Sequence, residues 1–309
     1  MSKAKETRME GTDSRYWQDL LPDALGLIFK NLSLQDRLTV IPRVCKSWGN
    51  AVMGPYCWQE IDIEDWSNRS EPENVDRMLQ MLITRSSGSL QKLCVSGLQN
   101  ENSFYFIAEH AHSLQTLRLP RSEISDSVIE MIAGKLSTLT FLDLSDCSKI
   151  GPHALEAIGK NCKFLARLCR NMHPLDVGGK ISQNDEAHAI ATTMPRLKHL
   201  EIAYHLVDTV GVLEIVTSCH ELEFLDLRGC WDVKFDEKYL KDKFPKLNIL
   251  GPYVVDQYDR NPWEVCSDYS DSLYDYESSD GMWDDEDRLE LQFYEGFDED
   301  SVYGWPPSP

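Results

Sequence analysis

Residues 139–147 read LTFLDLSDC, and residues 222–230 read LEFLDLRGC. Both carry the frame L-x-x-L-x-apolar, with two apolar residues flanking a position that alternates to the other side. The same frame stands at Leu90-Leu93-Val95, Leu114-Leu117-Leu119, Leu139-Leu142-Leu144, Leu197-Leu200-Ile202 and Leu222-Leu225-Leu227, with weaker copies starting at Leu165 and Leu247. Successive first leucines lie 24, 25, 26, 32, 25 and 25 residues apart. A steady period near 25 is the signature of leucine-rich repeats. One unit cannot bury both its strand and its helix, so neighbours stack and share a core. The predicted architecture is α/β: parallel strands line the inner face, and helices such as Ser127–Lys135, His153–Lys160, Glu186–Thr193 and Val210–Thr217 lie outside.

Side chains alternate along a strand, so the frame also predicts the concave surface. Its outward positions are Lys92, Cys94, Thr116, Arg118, Phe141, Asp143, Arg167, Cys169, His199, Glu201, Phe224, Asp226 and Arg228. Aromatic and Arg side chains are favoured anchors at interfaces. The candidate binding residues are therefore Arg118, Phe141, Asp143, Arg167, His199, Glu201, Phe224, Asp226 and Arg228, with Phe141 and Phe224 expected as exposed aromatics. Asp143 and Asp226 recur at the repeat period, which marks a structural or concave-face role and not a catalytic pair. Two departures stand out. Arg170 occupies an apolar frame position, which predicts a distorted strand. The same repeat is about seven residues longer than the norm, and the excess falls in Asn171–Asp185, either a tolerated insertion or a loop at the rim of the binding face.

Upstream of the repeats, residues 17–58 read WQDLLPDALGLIFKNLSLQDRLTVIPRVCKSWGNAVMGPYCW. Leu21-Pro22 opens a helix, because proline suits the first helical position and Asp23 favours the positive helix start. Leu25, Ile28, Phe29 and Leu32 form an apolar stripe. Ser33 and Asp36 resemble a capping box. A second helix presents Leu34, Leu38 and Ile41 and is bounded by Pro42; a third carries Val44, Trp48, Ala51 and Val52 and ends at Gly54-Pro55. So small a unit cannot hide that much apolar surface, so part of it packs on the following domain or stays open to a partner. Residues 61–88, starting in the alternating WQEIDI, read as a strand and helix linking this group to the repeats.

The chain of 309 residues carries a net charge of −20. Residues 253–309 hold 17 acidic against 2 basic side chains, which leaves −5 for the first 252. Nucleic acid and anionic membranes are disfavoured as partners, and no apolar run approaches spanning length. Residues 1–15 have no apolar core and are expected to be disordered, not a secretory signal. Nine single cysteines without a C-x-x-C pair argue against a disulfide framework or zinc module and fit a reducing compartment, nucleus or cytoplasm. The acidic segment 254–309, also expected to be disordered, interleaves aromatics such as Tyr274, Trp283, Phe293 and Trp305, a composition compatible with a binding tail or a solvating one. No phosphate loop, dinucleotide fingerprint, zinc-protease helix or nucleophile elbow is present. Neither a cofactor nor a metal site is expected, nor an enzymatic activity.

The ordered set of Leu21-Pro22, an apolar helix ending near Leu32, Ser33-Leu34-x-Asp36, Val44-Cys45-Lys46 and Trp48 resembles an F-box. Together with the Cys-containing repeats, the chain resembles plant F-box proteins with leucine-rich repeats. The resemblance implies an F-box over residues 16–60 and about seven repeats over 89–253. It implies that Leu21, Pro22, Leu25, Ile28, Phe29, Leu38 and Trp48 contact a Skp-type adaptor, and through it a cullin–RING ligase. The chain would then be a non-catalytic substrate receptor for protein ubiquitination. The repeat pattern alone is equally compatible with an interaction scaffold without a ligase role.

Overall fold

The computed structural model describes Trp17 and residues 20–173, 182–234 and 243–252. Residues 1–15, most of the excess in Asn171–Asp185, and the acidic segment lie outside the described residues. The chain divides into two compact units, residues 1–57 and 58–309.

In the first unit, α1 (Pro22–Phe29), α2 (Ile41–Val44) and α3 (Lys46–Val52) pack together, α3 against both others. Pro22 stands in the first turn of α1, where its missing N–H costs nothing. The Asn31 side chain donates to the Leu27 and Ile28 carbonyls and closes the other end. Ser33 Oγ accepts from the Asp36 N–H at 3.0 Å and donates to the Asp36 carboxylate at 2.8 Å, so the shorter acid serves the cap itself instead of reaching back along the chain. The second helical segment differs from its expectation. A π-helical turn over Asp36–Val40 runs directly into α2, and Pro42 sits inside the first turn of α2 instead of ending a helix.

The second unit is one sheet of eight parallel strands in sequence order: β1 (Glu60–Asp62), β2 (Lys92–Cys94), β3 (Thr116–Arg118), β4 (Phe141–Asp143), β5 (Arg167–Cys169), β6 (His199–Glu201), β7 (Phe224–Asp226) and β8 (Asn248–Leu250). Between them run α4 (Glu64–Ser67), α5 (Pro72–Ser86), α6 (Glu101–His110), α7 (Asp126–Ile132), α8 (Pro152–Asn161), α9 (Asn184–Thr193) and α10 (Thr209–Ser218). From α5 to α10 each helix packs on the next. The frame leucines are buried from Leu90, Leu93 and Val95 to Leu225 and Leu227; the copy predicted from Leu247 is one residue out of register, since Ile249 pairs with Leu225 and Leu250 is exposed. The segment 61–88 is therefore not a linker. Ile61 stands in register with Leu93 and α5 packs on α6, so Trp58-x-x-Ile61-x-Ile63 is a first repeat in which Trp and Ile replace leucine.

The strand carrying Arg170 is not distorted. β5 keeps full register with both neighbours, and the Arg170 N–H bonds the Glu201 carbonyl at 2.8 Å, as Leu144 bonds Cys169 and Ile202 bonds Asp226. The Arg170 side chain is fully buried. It donates to the Leu144 and Ile150 carbonyls and lies 3.4 Å from the Glu186 carboxylate on α9. In flanking repeats the equivalent carbonyls, of Leu119 and Ile202, accept from the Cys147 and Cys230 thiols at 3.1 and 3.2 Å. The Leu165 repeat has His173 at that cysteine position, and Arg170 serves the carbonyl in its place.

Among the described residues no helix is long and apolar enough to cross a membrane.

Candidate functional site: an apolar helix face and a planar ladder

The first unit sorts its apolar side chains into core and surface. Leu25 and Phe29 are 0% and 2% exposed and make the core with Ile41, Ala51 and Val52. They are thus corrected from adaptor contacts to core residues. Trp48, half-buried, rests on the Phe29 ring at a 5.0 Å centroid separation and supports that core. Leu21 is 74% exposed, and Pro22 and Ile28 are also exposed, while Leu38 is half-buried. Leu20, Leu27, Leu32, Val40, Val44 and Met53, absent from the predicted set, are exposed as well. A helix as apolar as α1 presents hydrophobic residues around more than one side, so spacing alone did not separate the two faces. Arg37, also missed, is buried and donates to the Cys57 carbonyl at 2.6 Å.

On the sheet, strand register sets the concave residues in two rows. The first runs Lys92, Thr116, Phe141, Arg167, His199, Phe224; the second runs Cys94, Arg118, Asp143, Cys169, Glu201, Asp226. In the first row the planar groups stack in two pairs, Phe141 with Arg167 and His199 with Phe224. The Arg167 guanidinium lies 4.6 Å from the Phe141 ring centroid, and His199 lies 4.3 Å from Phe224 with planes 11° apart. Phe141 and Phe224 are therefore half-buried, each with a planar neighbour against its ring, and not the exposed aromatics the frame predicts.

The second row fixes the first. Glu201 accepts from Arg167 at 2.7 Å, from His199 at 2.6 Å and from Asn171 at 3.1 Å. Burial opposes its ionisation, but these hydrogen bonds, with one from Cys169, outweigh it and hold the carboxyl at about 2. Asp226 accepts two bonds from Arg228 Nε at 3.0 Å and one from Nη2 at 2.6 Å. Arg118 bridges Asp143 at 3.2 Å and Glu64 at 3.0 Å. Asp143 and Asp226 also accept the N–H two residues on, at 3.0 Å each, which explains their recurrence as turn-closing residues. Both are buried beneath the arginines they pair with.

Burial pushes the thiols of Cys94, Cys147, Cys169, Cys219 and Cys230 up to about 12, so they stay protonated; Cys147, Cys219 and Cys230 donate to carbonyls of the preceding repeat, and Cys169 to Glu201. One group among the described residues, Asp62, Glu64 and Cys94, could bring three ligand atoms together. Its carboxylates instead pair with Lys92 and Arg118, and its thiol is protonated.

An apolar three-helix unit followed by a leucine-rich solenoid defines the class of F-box proteins with leucine-rich repeats. The F-box domain family matches residues 17–60. The chain is 56% identical to "F-box protein FBW2" of Arabidopsis thaliana, across 97% of this chain and 99% of that protein. It is 28% identical to the Arabidopsis "Putative F-box/LRR-repeat protein 23", across 78% of this chain and about half, 54%, of that one. Among solved structures, that of the Rad7–Elc1 complex in yeast aligns with a TM-score of 0.45 at 21% identity, over 57% of this chain and 44% of that chain. The chain belongs to the F-box protein family as its plant members represent it.

Proposed function

We propose that this protein is the substrate-recognition subunit of an SCF-type E3 ubiquitin ligase. The observation that carries the proposal is the division of labour in the first unit. Its core is complete with Leu25, Phe29, Ile41, Ala51 and Val52, yet Leu21, Leu27, Ile28, Leu32, Val40 and Val44 remain exposed. So many exposed aliphatics on a small helical unit mark a protein interface, and the family it belongs to supplies a Skp-type adaptor as occupant. The concave rows then hold the protein substrate. The subunit itself makes no covalent bond; it raises the effective concentration of substrate lysines at a charged ubiquitin-conjugating enzyme, to the millimolar order that short tethers give. The unpaired thiols fit a reducing compartment, nucleus or cytoplasm.

A reconstitution with adaptor, cullin and RING subunits tests this with two variants. Leu21→Asp is expected to lose the adaptor while the solenoid stays folded. Phe224→Ala is expected to keep the adaptor and to stop modification of proteins that the intact receptor presents. If Leu21→Asp assembles like the native chain, or if ubiquitin transfer onto captured proteins ignores both changes, the reading fails.

A further inference from the structure

Glu201 fixes which nitrogen of His199 carries the ring proton. Its carboxyl is held ionised, at about 2, so it offers acceptor oxygens alone. His199 Nε2 lies 2.6 Å from Oε1 of that carboxylate and is therefore a protonated donor. The two ring nitrogens point to opposite sides of an imidazole, so Nδ1 faces away from Glu201. It has no hydrogen-bond partner among the described residues, and it reaches solvent. The bond to Glu201 and the stacking on Phe224, at 4.3 Å with planes 11° apart, hold the ring in this orientation.

An acceptor is scarce on this part of the face. Phe141 and Phe224 carry no polar side-chain atom, and Arg167 carries only donors. The carboxylates beneath are engaged already: Glu201 by Arg167, His199, Asn171 and Cys169, and Asp226 by Arg228 and a backbone N–H. Along the row Phe141, Arg167, His199, Phe224, the lone pair on Nδ1 is thus the acceptor that the side chains offer. A segment laid across the row buries any N–H or O–H placed elsewhere without a partner, which is costly. We infer that His199 is a specificity-determining residue of the concave face: its neutral ring accepts, at Nδ1, a hydrogen bond from an N–H or O–H donor of the substrate. This rests on the reading of that face as the substrate surface. A second ring proton turns Nδ1 from acceptor into donor and sets it against the donor it received. The charged and titratable groups around the ring are Arg167 and Cys169 on β5, Glu201 on β6, and Asp226 and Arg228 at β7, while Lys198 turns to Glu221. Arg167 balances Glu201, Arg228 balances Asp226, and Cys169 stays protonated. The second proton therefore adds an unbalanced positive charge to the row.

The test uses the full chain and random twelve-residue peptides displayed on phage, selected on it at neutral pH. Selected peptides free of His, Asp and Glu are made with a fluorophore and titrated into the native chain, Phe224→Ala and His199→Phe. Those that lose binding with Phe224→Ala report the row. For these, His199→Phe keeps a ring against Phe224 but no acceptor, and it is expected to weaken binding at least tenfold, with its melting curve recorded. In the native chain, labelled with 15N-histidine, NMR follows the titration of the His199 ring itself. Affinity is expected to fall at least tenfold along that titration. In the neutral complex Nδ1 is expected to stay unprotonated and its signal to shift on binding. Should His199→Phe not fold, the pH and NMR measurements decide alone. Peptides that depend on Phe224 yet keep their affinity as the ring titrates, or leave the Nδ1 signal unmoved, overturn the assignment while the receptor reading stands. Equal binding to a folded His199→Phe overturns it too. If no selected peptide depends on Phe224, the assignment and the reading of the face fall together.

Discussion

Three residues beyond the second concave row, the backbone of nearly every repeat turns left-handed: Gly97, Arg121, Asp146, Tyr204 and Gly229 have φ between +57° and +76°. A β-carbon makes that region unfavourable by roughly 1–2 kcal/mol. Asp146 is a non-glycine there, and burial raises its carboxyl above the usual carboxylate range. Asp146→Gly is therefore expected to stabilise the protein by about 0.5–1 kcal/mol, read as a higher denaturation midpoint. The reverse holds at Gly229, where an added Cβ would stand 2.2 Å from the Tyr204 ring. Gly229→Ala is expected to destabilise by at least about 2 kcal/mol in the same measurement. Glu201 sets a pH dependence. Its folded-state value, about 2, lies below the ordinary value of about 4.3. The stability it contributes is present above pH 5 and is lost as pH falls toward 2. Denaturant titrations of the native chain and of Glu201→Gln are expected to differ by about 1–3 kcal/mol at pH 7 and to converge near pH 2. A constant gap would show that the carboxylate network does not act through ionisation.

At the scale of elements, the regular repeats were legible because their period, frame and alternation all report one geometry. Helices predicted over His153–Lys160 and Val210–Thr217 form as Pro152–Asn161 and Thr209–Ser218. The reading failed where a residue depends on a partner distant in sequence. Arg170 looked disruptive because nothing local shows that Glu186 and two carbonyls receive its guanidinium. The first repeat was missed because Trp58 and Ile61 stand in place of leucines, although the Trp58-x-x-Ile61-x-Ile63 spacing carried the frame. Phe141 and Phe224 looked free because the rung neighbours that cover them, Arg167 and His199, become visible only with the strand register. Removing one member of a buried ion pair leaves the other charge stranded, typically at a cost of about 3–5 kcal/mol. Arg170→Leu alone is expected to destabilise by that order in chemical denaturation. The double change Arg170→Leu with Glu186→Leu is expected to recover most of the loss, since the frame position is then apolar as in every other repeat. A double variant no more stable than the single one would show that the carbonyl contacts to Leu144 and Ile150 matter more than the pair.

Over the whole molecule, the two units show different surfaces: exposed aliphatics on the helical group, paired charges and stacked planes on the sheet. The existence of an F-box unit was legible in the order of its motifs. Which side chains it turns outward was not, because α1 is apolar on both its inner and outer sides. That sorting makes the receptor reading testable with little ambiguity, since Leu21 and Ile28 can be changed without touching the core. The most direct measurement is calorimetric titration of a Skp-type adaptor into the native chain and into Leu21→Asp/Ile28→Asp, with the melting curve of each recorded beside it. The account predicts one-to-one binding by the native chain, a loss of at least about a hundredfold in affinity for the double variant, which corresponds to about 2.7 kcal/mol, and unchanged melting. Equal affinity for both proteins, or no binding by either, would contradict it.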